Sequence, residues 1–314
     1  MKHQIKTFFY FTLALFFCWF WFRLIDWPQL VSFLEKANLI FLIPILLLMI
    51  GNSLLSSWRF KILMQPVGKA SVFYFWRINL IGSLTSLIIP FRAGAFLRTY
   101  LFKNKFASSF STCFAISFLD SLIVLFPLVL FSPIFFLPGL ILFGLFWFFG
   151  RSQTFRRLIL SLIKKSPLGK DLKKRGLRLL VNFKKSFVMV SKKREILVLP
   201  FFLSILGYFL KALGMYLFFW MLGARVEFFS LLMALATFSL SNLIPGLPVK
   251  IGQYELFGLL IFTFFIPVDK NLVAAVLLLS HFIGITFVLA AGFLSILSLR
   301  FNKMPIKLSS LKKI

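Results

Sequence analysis

Apolar residues in this chain come in long unbroken runs, not in alternation with polar ones. Runs of about 20 residues, the length a helix needs to span the hydrocarbon of a bilayer, recur at 5–25, 39–58, 106–131, 133–149, 196–222 and 271–299. Strands of a membrane barrel would be shorter and would alternate. Two further apolar stretches, 72–102 and 228–266, are interrupted by Pro and Gly. The pattern predicts an all-α polytopic membrane protein with about six full spans and two re-entrant or broken-helix hairpins.

The interruptions share a skeleton. The first reads Pro90-Phe91-Arg92-Ala93-Gly94-Ala95-Phe96-Leu97-Arg98, and the second Pro248-Val249-Lys250-Ile251-Gly252-Gln253-Tyr254-Glu255. Both fit Pro-x-(Arg/Lys)-x-Gly, and Pro245 and Gly246 extend the second break. Hydrocarbon neither satisfies a freed backbone group nor solvates a charge, so two such places at membrane depth are costly and point to function. Pro90, Gly94, Pro245, Gly246, Pro248 and Gly252 are the expected hairpin tips. Asn79 and Asn242 stand ahead of the two breaks, where capping or bridging freed backbone groups is their expected task.

Charge then orients the chain. Of 314 residues 60% are hydrophobic, and the formal net charge is +28. In a soluble protein such an excess would suggest nucleic acid. Here cytoplasmic loops facing anionic lipid account for it, and no nucleic-acid partner is expected. Residues 151–194 carry fifteen Lys/Arg and one Asp. Within them Leu172, Leu180, Phe183, Phe187 and Val190 recur at helical spacing, which predicts a basic amphipathic segment lying on the anionic cytoplasmic leaflet, with a solvated charged loop as the alternative for its first part. The division is a membrane half at 1–150 with its hairpin around 72–102, the basic segment at 151–194, a second membrane half at 195–299 with its hairpin around 228–266, and a basic tail at 300–314. Both termini are expected in the cytoplasm, with the protein in the cell (inner) membrane. The polar connections at 26–37, 223–227 and 267–270 then lie outside. The first hairpin starts and ends inside and the second starts and ends outside, which is the inverted-repeat arrangement of alternating-access transporters.

The candidate substrate-binding set follows from charge at depth: Arg92, Arg98, Lys250, Glu255 and Asp120. Arg92 suits a phosphate through bidentate bonds and Lys250 through a point charge; a cation snorkelling to the interface is the plain alternative for both. Glu255 is expected to pair with Arg92 or Lys250, or to relay a proton. Asp120 is expected to pair with Arg92, Arg98 or Lys211. His281 is read first as an interhelical hydrogen-bonding residue and second as a proton carrier. Cys18 and Cys113 sit in apolar runs and read as packing. No nucleotide loop, metal-ligand set or catalytic triad is present, so no metal or cofactor is expected.

These residues also resemble the membrane region of lysylphosphatidylglycerol synthase (the multiple peptide resistance factor) and its stand-alone flippase-like relatives. Pro90, Arg92, Gly94 and Arg98 match the family's Pro-x-Arg-x-Gly-Glu-x-x-Arg. Pro248, Gly252 and Glu255 match its Pro-Gly-Gly-x-Gly-x-x-Glu. Ala95 replaces the Glu of the first motif, and Val249 and Lys250 replace two glycines of the second. Of the family's Glu-Arg-x-x-Asp only Asp120 remains, after Ile116 and Ser117. The resemblance covers nearly the whole chain and marks a divergent member without the aminoacyl transferase domain, so lysyl transfer is not expected. It implies translocation or binding of an anionic phospholipid or lipid-linked substrate, downhill or driven by an ion gradient. Two alternatives stay open. One is a membrane enzyme modifying a lipid headgroup, with Glu255, Asp120 or His281 as base. The other is an accessory subunit of a lipid or glycan biosynthetic enzyme, docking through 151–194. Either a homo-oligomer or such an enzyme partner is compatible with the sequence.

Overall fold

The computed structural model describes residues 12, 15–89, 93–134, 136–137, 181, 194–241 and 248–301. The described residues form helices and short connections, with no strand. They are α1 (Leu15–Leu24), α2 (Trp27–Glu35), α3 (Leu42–Met64), α4 (Val72–Ile88), α5 (Ala93–Phe106), α6 (Phe110–Phe131), α7 (Arg194–Met221), α8 (Phe228–Ser241), α9 (Gln253–Phe265) and α10 (Lys270–Phe301), with 3₁₀ turns at Leu39–Phe41 and Pro248–Lys250. Four helical stretches are long and apolar enough to cross a membrane: Leu39–Met64, Phe110–Phe131, Ile196–Met221 and Lys270–Leu299. Of the other two expected spans, 133–149 lies almost entirely outside the described residues, and 5–25 is described only from residue 12. Helices α4, α8 and α9, which fall in the two interrupted stretches, are shorter and apolar, as is α1. The amphipathic segment expected at 151–194 also falls outside the described residues, apart from Val181 and Arg194.

Local chemistry sets the helix ends. Ser71 and Ser109 cap α4 and α6, their hydroxyls accepting from the Tyr74 and Thr112 amides, which satisfies donors the first turn leaves open. Glu227 caps α8, its carboxylate accepting from both the amide and the hydroxyl of Ser230. Those bonds hold this exposed carboxyl below the usual carboxylate range, the Ser230 hydroxyl contributing most. The 26–37 connection corrects the expectation of a plain polar loop. Asp26 caps it, Pro28 sits in its first turn, and Trp27–Glu35 is helical with Leu30 buried. It is tied to the start of α10, where Asn271 accepts from the Asp26 amide and donates to Gln29.

Packing follows small residues and paired polar groups. α3 lies along α7, and the start of α3 is fastened to the end of α7 by the Asn38 amide donating to Met221 O. α3 leaves Ile43, Leu46, Leu47 and Ile50 exposed, an apolar face suited to lipid tails. Pro127 within α6 cannot supply the amide that Ile123 O would accept. Ser204 of α7 donates its hydroxyl to that carbonyl instead, at 3.1 Å. α4 and α5 close to backbone contact at Gly82 and Gly94: any side chain on Gly94 would drive into the Gly82 carbonyl and Ser86. Their joint with α3 is filled by Phe60, Phe75 and Phe102, all fully buried. α4 also packs along α10, where Gly292 makes room for Leu84, and it touches the 3₁₀ turn at Pro248–Lys250. One helix thus contacts both interrupted segments.

Candidate functional site

Among the described residues, two clusters of polar groups with ionisable side chains lie in the interior. The first joins α3, α4, α5 and α6. Arg59 Nε donates to Asp120 Oδ1 at 2.7 Å, and both side chains are buried. Arg98 donates to Asn79 Oδ1 at 3.2 Å and lies over the Phe60 ring at 4.6 Å. It also sits in the electrostatic field of both Asp120 and Arg59. Asn79 donates to Ser57 Oγ, which in turn donates to Ser53 O. Trp76 donates to Ser53 Oγ, and Thr99 and Ser117 share a hydrogen bond between α5 and α6. The Arg98 Nε is buried and has no hydrogen-bond partner among the described residues. Two guanidiniums thus face one carboxylate, and the cluster carries an excess positive charge.

The second cluster is built on the break before α9. Val249 and Lys250 have φ of 57° and 59°, and Gly252 has φ of 77°. Only Gly takes that region without steric cost, and a β-branched residue there is unusual. Val249 and Lys250 replace the two glycines of the resembled motif, so the left-handed turn persists under residues that resist it. Glu255 reaches back to close the first turn, its Oε2 accepting from the Gly252 amide at 2.7 Å. Its other oxygen meets His281 Nδ1 of α10 at 2.5 Å, and His281 Nε2 meets Val249 O at 3.0 Å. Tyr254 stacks on the imidazole at 4.2 Å, with Phe238 of α8 edge-on behind it. Lys211, in the middle of α7, is exposed, donates to Ser239 at 3.1 Å and lies in the field of Lys250.

The expected residues are therefore only partly where the sequence put them. Arg92, Pro90, Asn242, Pro245 and Gly246 lie outside the described residues. Asp120 takes Arg59 as its direct partner, with Arg98 close by, while Lys211 belongs to the other cluster. Glu255 takes the imidazole of His281, a partner the sequence reading did not name. Among the described residues, Asn79 bonds side chains of α3 and α5. His281 joins α10 to Glu255 of α9 and to the Val249 carbonyl. Arg59, near the end of α3, is a buried member of the cluster that the sequence reading did not name. A legible signal existed: Ser53, Ser56 and Ser57 place a polar stripe on the same end of α3.

The family model described as the lysylphosphatidylglycerol synthase TM region matches residues 7–292. The chain belongs to this family. No curated protein and no solved structure matches it. Membership in the lysylphosphatidylglycerol synthase membrane-region family makes this a multi-pass membrane protein linked to lipid modification or translocation.

Proposed function

We propose that this protein binds an anionic phospholipid or lipid-linked substrate by its phosphate and carries it between leaflets. The observation that carries the reading is the first cluster, where Arg59 and Arg98 face a single Asp120. An excess cation inside a membrane protein is costly, by about 3 kcal/mol on insertion scales, unless an anion meets it. A phosphate does so, and guanidiniums hold it through paired bonds. Exposed Lys211 beside Lys250 is a second cationic station, and the contact of α4 with the Pro248–Lys250 turn joins the two. In this reading the interrupted helices form an inverted repeat whose rocking exposes the stations to each leaflet in turn. Lys250 lies in the second break, Asp120 offsets Arg59 in the first cluster, and Glu255 is held by His281.

The test is a scrambling assay in proteoliposomes with a fluorescent anionic phospholipid and a zwitterionic control, read by quenching of the outer leaflet. Wild type moves the anionic lipid faster. Arg98→Ala and Lys211→Ala reduce that rate and leave the control unchanged. Undiminished transport by Arg92→Ala, Arg98→Ala and Lys250→Ala together would defeat the headgroup role.

A further inference from the structure

We propose that Glu255 and His281 form a one-proton site that latches the helix break at 248–252, and that proton release opens it. The argument is a count of donors. Val249 O accepts only, so His281 Nε2 must carry a hydrogen. His281 Nδ1 and Glu255 Oε1 are 2.5 Å apart. At that separation one proton must lie between them, on the imidazole or on the carboxyl. Without it two lone pairs face each other and the contact repels.

The pair also grips both ends of the break. His281 holds the Val249 carbonyl, and the second oxygen of Glu255 holds the Gly252 amide. Between these grips lie Val249 and Lys250, both at positive φ. Such residues persist only where their surroundings over-determine them. When the shared proton passes to water, the Glu255–His281 contact parts and the grip on the strained turn goes with it. The turn rests against α4, so its release is felt by the helix that carries Asn79.

The charged and titratable groups around the pair are few among the described residues. Lys250 belongs to the turn itself, Tyr254 stacks on the ring, Cys18 of α1 lies in the field of Glu255, and Lys211 of α7 stands beyond Lys250. α8 offers no titratable residue, and α4 has none from Ile78 to Ile88. Asp26 meets α10 at Asn271, about 15 Å along the helix from His281.

This deepens the transport reading, on which it rests for one consequence only: the proton becomes the driving ion. The latch itself is tested without transport. Hydrogen exchange of the amides of 249–254 is followed in nanodiscs against pH and corrected for intrinsic exchange. In wild type, exchange above the latch transition rises about ten-fold per pH unit, as a one-proton step requires. Glu255→Gln stays protected throughout, because its amide donates to neutral His281 while its oxygen keeps the Gly252 bond. His281→Gln likewise loses the pH dependence, and wild type releases one proton more than either variant on titration. The same pH dependence in wild type and both variants, or equal proton release, overturns the proposal. A wild type that shows the latch yet scrambles no lipid at any pH counts against the transport reading alone.

Discussion

Asp120→Asn removes one charge and almost no volume, so it isolates the electrostatics of the first cluster. Arg59 and Asp120 meet at 2.7 Å with side-chain exposures of 8% and 6%. Opposite unit charges about 4 Å apart attract by about 4 kcal/mol at an effective dielectric of about 20. Asn keeps one acceptor for the Arg59 Nε but leaves two guanidiniums without a counter-ion. The expected destabilisation is about 3 kcal/mol, the lower end for breaking a buried pair. Replacing both partners by apolar residues, Arg59→Met with Asp120→Leu, removes a charge together with its counter-ion, leaves the cluster's net charge as in wild type, and returns stability to within about 1 kcal/mol of wild type. Arg98 then still supplies a positive charge, so anionic-lipid movement persists in the double variant. The assay is equilibrium unfolding in mixed micelles under increasing denaturing detergent, read by helical circular dichroism. A single variant within about 0.5 kcal/mol of wild type, or a double variant that is less stable than the single, refutes the reasoning.

Other expectations follow from backbone and capping. Val249→Gly relieves a β-branched residue at φ 57° and raises stability by about 1 kcal/mol, measured by the same unfolding titration. Gly252→Ala lowers it, since φ is 77° and an added Cβ would meet Cys18 N and Sγ at 2.9 Å. Ser204→Ala orphans the Ile123 carbonyl and costs about 1–2 kcal/mol; with Pro127→Ala the helix amide returns, and the cost of Ser204→Ala largely disappears. Glu227 has a lowered folded-state pKa, so its capping stability is present above the ordinary carboxylate range and is lost as pH falls through the folded value. Thermal midpoints of wild type and Glu227→Gln therefore converge on acidification, and a gap that stays constant with pH would contradict the capping role.

Periodicity alone was enough for the class of protein, because a bilayer leaves helices no alternative when apolar runs reach spanning length. It also located the interrupted segments, since Pro and Gly act on their own local backbone. The left-handed backbone at Val249, Lys250 and Gly252 came only with the structure, since two of those residues resist it. Partners were another matter. Asp120 could name its own need for a cation but not which of several would arrive. Arg59 arrived because α3 lays its serine stripe against α4 and α6, a choice made by helix packing across about 60 residues of chain. His281 reached Glu255 for the same reason: α9 and α10 are brought side by side, and Tyr254 fixes the ring. A buried charge declares itself in sequence because its desolvation cost is local. The group that offsets that cost is decided only when separate helices close on one another.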